Sequence, residues 1–241
     1  MTAQQPVTYA GAGVDIEAGD RAKAQYAGLA AMTRRPEVLA DVGPFAGLFR
    51  LGNYRDPVLV ASADGVGTKV KIASVLGRLD SVGHDLVNHC VNDALTSGAT
   101  PLFFLDYVAG DGIPADTKVE LVRGVAEACK AVGMALLGGE TADMPGVYLQ
   151  GELDLAGFII GVVERDAIID GSGIRVGDAL IVVPSNGLHT NGYSLARRIF
   201  GVGMDGDAAV ERQRAAERPA ELGGDTVGDA LLRPHRAYVP Y

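Results

Sequence analysis

Within residues 83–97 the apolar positions Leu86, Val87, Cys90, Val91, Ala94 and Leu95 recur at helical spacing, and Gly98 follows as a stop. The spacing predicts an amphipathic helix that keeps Asn88, Asn92 and Asp93 off its apolar stripe. Residues 119–132 repeat the pattern, and shorter helices are expected over 69–76, from about 20 to 32, and from about 193. Between them stand apolar runs bounded by Gly, Pro and Asn, the mark of strands. PFAGLFRL and PVLVASAD read as a pair of strands ending at Asp64. PLFFLDYVAG reads as a buried strand, and MALLGGE as one meeting a double-glycine turn. The continuous apolar centre of LDLAGFIIGVVE, residues 153–164, predicts a strand buried on both faces.

After Asp170 the pattern thins. One strand is expected over 179–183, then a polar glycine-rich loop and a helix. Residues 203–225 read as a solvated connection, and the last residues as the start of a further helix. Residues 1–19 lack periodicity and read as an arm or loop. Strands and helices together give an α/β fold of α+β type with mixed sheets. The boundary divides it into 1–169 and a second α/β domain over 170–241 that holds too little apolar surface to stand alone.

The chain has 241 residues, a formal charge of -9 and 48% hydrophobic residues. That charge argues against broad contact with nucleic acid or an anionic membrane. No run of 18 apolar residues and no leader pattern is present, so the reading is cytoplasmic. Its two cysteines, Cys90 and Cys129, fall on apolar helix faces and are expected as buried thiols.

Four segments carry candidate chemistry. In Asp64-Gly65-Val66-Gly67-Thr68-Lys69 the threonine precedes the lysine, so it is not a Walker A loop, and it lacks the third glycine of the dinucleotide fingerprint. Its parts still suit phosphate: backbone N–H groups at Gly65 and Gly67, a cation at Lys69, and a carboxylate at Asp64 for magnesium. A tight turn with solvated charges is the competing reading. Asp85, His89 and Asp93 share a helical row, yet Asp93 joined to Asp64 on magnesium is the better hypothesis. Glu140 follows the double glycine and faces either a ligand or water. Ser185, Asn186, Gly187, His189 and Asn191 lie between a strand and a helix start, where backbone and side-chain donors gather into an anion-binding nest.

The segments GVDIEAGD, TRRPEVL, DGVGTK, VNDAL, PLFFLDY, GGETADMPG, AGFIIGVVE, IIDGS and SNGLHTNGYSL, in this order, resemble the aminoimidazole ribonucleotide synthetase (phosphoribosylformylglycinamidine cyclo-ligase) family. The resemblance spans nearly all of residues 9–200 and resumes at LLRPHRAYV. It implies ATP-dependent closure of formylglycinamidine ribonucleotide to aminoimidazole ribonucleotide, with ADP and phosphate released. On that basis Asp64 and Asp93 hold Mg2+, while Gly65, Gly67, Thr68, Lys69, Asn92 and Glu140 belong to the ATP half-site. Ser185, Asn186, Gly187, His189 and Asn191 face the substrate, with Lys69 and His189 expected to be catalytic. The resemblance also implies a homodimer paired through its N-terminal sheets. Family members continue past LLRPHRAYV, so a truncated second domain is expected. Two alternatives follow: a dimeric nucleotide-binding fragment without turnover, or a superfamily enzyme such as thiamine-monophosphate kinase.

Overall fold

Alternating apolar residues put four strands side by side in the structure, a computed structural model that describes residues 16–40 and 46–239. Strands β1 (Pro57–Gly65), β2 (Thr100–Gly110), β3 (Ala135–Asp143) and β4 (Leu153–Glu164) form a mixed sheet in the order β1-β4-β2-β3. β4 runs antiparallel to both neighbours, whereas β2 and β3 are parallel. A parallel pair needs a crossover, and helix α4 (Ala115–Ala131) supplies it. Helix α3 (Asp80–Leu95) lies beside α4 over the same face, and α1 (Ile16–Ala31) packs on α4. Phe104, Val108, Leu155 and Ile159 meet Leu86, Cys90 and Val125 in this layer's core. Both cysteines are buried free thiols, and burial pushes Cys90 up to about 12.

Two glycines set the α3–α4 separation. A Cβ on Gly124 would stand 2.1 Å from the Asp80 carbonyl oxygen, and one on Gly83 would stand 2.3 Å from that of Leu121. The helix backbones therefore touch where neither carries a side chain.

The other face of the sheet is open among the described residues. Leu59 is 62% exposed and Phe158 41%. This corrects the expectation that β4 is buried on both faces for most of its length: helices cover only one face and residues 153–160 alternate between core and open surface, whereas 161–163 are buried in succession.

Other expectations also change. The arm expected over 1–19 lies mostly outside the described residues, and α1 has begun by Ile16. Within PFAGLFRL, residues 46–51 form no strand; Phe49 makes one bridge to Val38 and sets its ring 5.2 Å from that of Phe103. Residues 179–183 are likewise no strand, with Leu180 96% and Ile181 89% exposed. An extended run becomes a strand only where a neighbour takes its backbone hydrogen bonds, and no described segment does so here. The double glycine lies inside β3, where a Cβ on Gly139 would meet the Asp106 carboxyl at 2.2 Å. The polar stretch after 204 is structured: α6 (Ala208–Ala215) is capped by Asp207, and buried Glu211 accepts from the backbone N–H groups of Gly203, Met204 and Gly206.

Helices α5 (Tyr193–Phe200), α6 and α7 (Val227–Leu232) pack round α2 (Lys69–Leu76). Tyr193 donates its hydroxyl to the Leu231 carbonyl at 2.6 Å, and Val202, Leu231 and Leu232 join the main core.

Candidate functional site

At the end of β1, Ser62 and Asp64 point to the α3 side because they are two residues apart. His89 and Asp93, four apart on α3, meet them there. Ser62 donates to Asp93 Oδ2 at 3.0 Å, Gly65 N–H to Asp64 Oδ1 at 2.7 Å, and His89 Nε2 lies 3.0 Å from Asp64 Oδ2. One ligand atom from each of Asp64, His89 and Asp93 falls within 4.8 Å of the others. Two carboxylates this close fit a hard divalent cation, with an imidazole beside them. The helical row of Asp85, His89 and Asp93 is thus divided: the last two meet Asp64, whereas Asp85 lies deeper.

Asp85 belongs to Lys69. Both side chains are 0% exposed, with Nζ 2.9 Å from Asp85 Oδ1 and 2.7 Å from Oδ2. Lys69 also donates to the carbonyl oxygens of His189 at 3.0 Å and Arg233 at 2.9 Å. Burial lowers the Lys69 pKa, against the opposing pull of Asp85, and raises that of Asp85 to about 6. An ammonium has three N–H groups, and these acceptors occupy them. Lys69 is therefore not on an exposed loop, as its place in a glycine-rich motif suggests. It opens α2, and its side chain runs inward beneath the residues that close over it.

Those residues form a strap. The face of α3 kept off its apolar stripe grips the backbone of residues 235–238. Asp85 Oδ1 accepts from His235 N at 2.6 Å, and Asn88 Nδ2 donates to His235 O at 2.7 Å. Asn92 donates to Arg236 O at 2.7 Å and accepts from Tyr238 N at 2.8 Å. The Asn92 amide, expected in the ATP half-site, is thus committed at both ends to the strap. The signal available in the sequence was the placement of Asp85, Asn88 and Asn92 on one helical face.

The loop 184–192 sits against this strap. Asn186 Nδ2 donates to Pro234 O at 2.9 Å, and Ser185 Oγ donates to Gly187 O at 3.2 Å. Gly187 and His189 both take positive φ, 149° and 60°; the latter is uncommon for a residue bearing a side chain. The His189 ring stacks on that of His235 with centroids 4.1 Å apart and planes 14° apart. Its Nε2 is buried and has no hydrogen-bond partner, as is Asn186 Oδ1. Burial first, then the positive charge of Lys69, lowers the His189 pKa; burial lowers that of His235 to about 3. Thr190 Oγ1 lies 3.0 Å from His89 Nδ1 and 3.3 Å from His235 Nδ1. Asn191 is exposed, and Thr68 Oγ1 lies 3.4 Å from Ser194 Oγ at the start of α5.

The structure therefore gathers Asp64, Asp93 and the backbone of Gly65–Thr68 at one place; the His189 ring is linked to it through His235, Thr190 and His89, whereas Asn186 is tied only to the strap, at Pro234. Sequence reasoning did not place Thr190 and His235 beside His89. Glu140 is not brought there within one chain: it is exposed on β3, at the sheet edge opposite β1, three inter-strand steps or roughly 14 Å away.

Residues 45–163 match the family model described as AIR synthase related protein, N-terminal domain. A phosphoribosylformylglycinamidine cyclo-ligase of Sorangium cellulosum is 56% identical over 233 residues, 96% of this chain and 65% of that protein. That of Syntrophotalea carbinolica is 49% identical over 243 residues, 99% of this chain and 67% of the relative. The chain thus spans about two thirds of the length of the curated relatives it matches. A solved structure described as AaThiL complexed with AMPPCP and TMP shares the fold at TM-score 0.50 and 18% identity, over 77% of this chain and 51% of that one. Among the described residues no helix is long and apolar enough to cross a membrane.

Proposed function

Because the chain belongs to the phosphoribosylformylglycinamidine cyclo-ligase family, we propose that it serves purine biosynthesis as an ATP-dependent ligase that closes formylglycinamidine ribonucleotide to aminoimidazole ribonucleotide. The observation that carries this reading is the 56% identity with a relative of that name across 96% of the chain. An amide oxygen is a poor leaving group. Transfer of the ATP γ-phosphoryl group to it converts it to phosphate ester; the substrate's amidine nitrogen then attacks the same carbon, and the C–O bond breaks to release phosphate beside ADP. Holding both ends of one substrate supplies the proximity.

In this reading Asp64 and Asp93 hold Mg2+, which would neutralise polyphosphate charge. Gly65, Gly67 and Thr68 present backbone to the phosphates. Lys69 acts from beneath: its charge fixes the carbonyls of His189 and Arg233, and so the position of the substrate loop. Ser185, Asn186, Gly187, His189 and Asn191 face the ribonucleotide, and the unpartnered His189 Nε2 is the atom available to hold or move a proton. Asn92 acts through the strap. Residues 1–169 supply the nucleotide-binding and dimerising parts, and 170–241, whose helices pack round α2 and join the main core, supply the substrate-facing loop. The open sheet face with Leu59 and Phe158 supports a homodimer, with Glu140 on that face. In this reading the protein works in the cytoplasm.

A second reading is favoured by the exposed, unpaired run at Leu180 and Ile181: the chain binds nucleotide without turnover. The purified chain, ATP, Mg2+ and formylglycinamidine ribonucleotide decide between them. Phosphate release coupled to imidazole formation, lost in Asp64→Asn, is the expected result. Nucleotide binding without either product favours the second reading.

A further inference from the structure

We propose that His89 is a positioning residue for the Asp64 carboxylate, held in register by the Thr190 hydroxyl and the His235 imidazole, so that one directed hydrogen-bond chain ties the loop 184–192 to the cation-binding pair. The inference rests on the reading of Asp64 as a cation ligand.

The directions follow from the chemistry of each group. An ionised carboxylate only accepts, so His89 Nε2, 3.0 Å from Asp64 Oδ2, carries the proton. In a neutral ring His89 Nδ1 then accepts, and its neighbour at 3.0 Å is the Thr190 hydroxyl. That hydroxyl, having donated, has lone pairs for the N–H at His235 Nδ1, 3.3 Å away. Every link points the same way, from His235 through Thr190 and His89 to Asp64.

The far end of the chain is fixed. His235 is held at its backbone N by Asp85 and at its backbone O by Asn88, and its ring stacks on His189. Thr190 is buried, so water offers its hydroxyl little competition. Asp64 is held on its other oxygen by the Gly65 N–H, leaving His89 to set the rotation of the carboxylate about that anchor. Imidazole-to-carboxylate contacts of this kind orient ligands in metal sites, and their loss typically weakens metal affinity 10–100-fold. Asp93 has a different support, the Ser62 hydroxyl, so a fault in the chain falls on one ligand only.

The probe is Mn2+ alone, titrated into the full chain and followed by the electron paramagnetic resonance of the free ion. Thr190→Val removes the hydroxyl and keeps the shape; it should weaken Mn2+ binding about tenfold, whereas Thr190→Ser should stay within about twofold of the wild type. If Thr190→Val fails to fold, His89→Leu reads the same contact, with the same weakening expected. Wild-type affinity in Thr190→Val or His89→Leu, with affinity lost in Asp64→Asn, overturns the positioning role and leaves the cation site standing. Undiminished affinity in Asp64→Asn overturns both. A directly coordinated nitrogen in the spin-echo modulation of bound Mn2+ makes His89 a ligand and overturns the positioning role.

Discussion

Lys69 Nζ lies 2.7 Å from Asp85 Oδ2, and neither side chain exposes any surface. The pair joins α2 to α3 and, through two backbone carbonyls, to the loop of His189 and to the strap at Arg233. Breaking a buried pair from one side strands the other charge, which typically costs about 3–5 kcal/mol. Lys69→Met should therefore lower the urea-unfolding free energy by about that amount, and the double variant Lys69→Met/Asp85→Leu should recover only part of it, because the carbonyls of His189 and Arg233 and the N–H of His235 lose their partners. A single variant as stable as the wild type would remove Lys69 from its structural position.

Asp106 gives a pH dependence with a defined sign. Burial raises its carboxyl from 3.8 to about 7. A folded-state value above the unfolded one means that its contribution is full below pH 3.8 and is lost as the pH rises to about 7. At about 1.4 kcal/mol per unit, the wild type should lose about 4 kcal/mol relative to Asp106→Asn across that window. Denaturation series at pH 4 and pH 8 test this, and parallel stability curves for the two proteins would contradict it.

Gly124→Ala should destabilise the fold by about 1–3 kcal/mol, since the new methyl falls 2.1 Å from the Asp80 carbonyl oxygen and α3 must move off α4. Ala on an exposed helix normally stabilises relative to Gly. A rise in melting temperature would show that the helices part freely.

Leu59→Lys with Phe158→Glu places charges on the open sheet face while leaving the helix-covered core untouched. If that face joins two copies, sedimentation should change from dimer to monomer with the melting temperature of the monomer retained. A dimer that survives both changes would place the interface elsewhere.

Period and capping made much of the fold legible. The limits of α2 and β4 follow from the apolar pattern, as does the existence of α3, α4, α5 and β2. α6 was hidden because its support is polar: Asp207 and Glu211 satisfy backbone N–H groups where no apolar stripe exists. The run at 179–183 has a strand's pattern without a strand's neighbour. In the candidate site, Asp64 and Asp93 could be joined in advance because both are short acids near the ends of facing elements. Lys69 could not be placed, because a cation in a glycine-rich motif has the same sequence whether it faces water or a buried aspartate.

The amino-acid sequence determined the main helices and strands with an apolar period, α2, α3, α4, α5, β2 and β4 among them, and the family to which the chain belongs, since these depend on local period and residue order. Tertiary structure alone decided that Asp85 takes Lys69 while His89 takes Asp64, and that Asn88 and Asn92 hold a strap more than 140 residues away in the chain. Side chains on one helical face are equivalent in pattern. Only the approach of distant backbone, with its unpaired N–H and C=O groups, assigns each of them a partner.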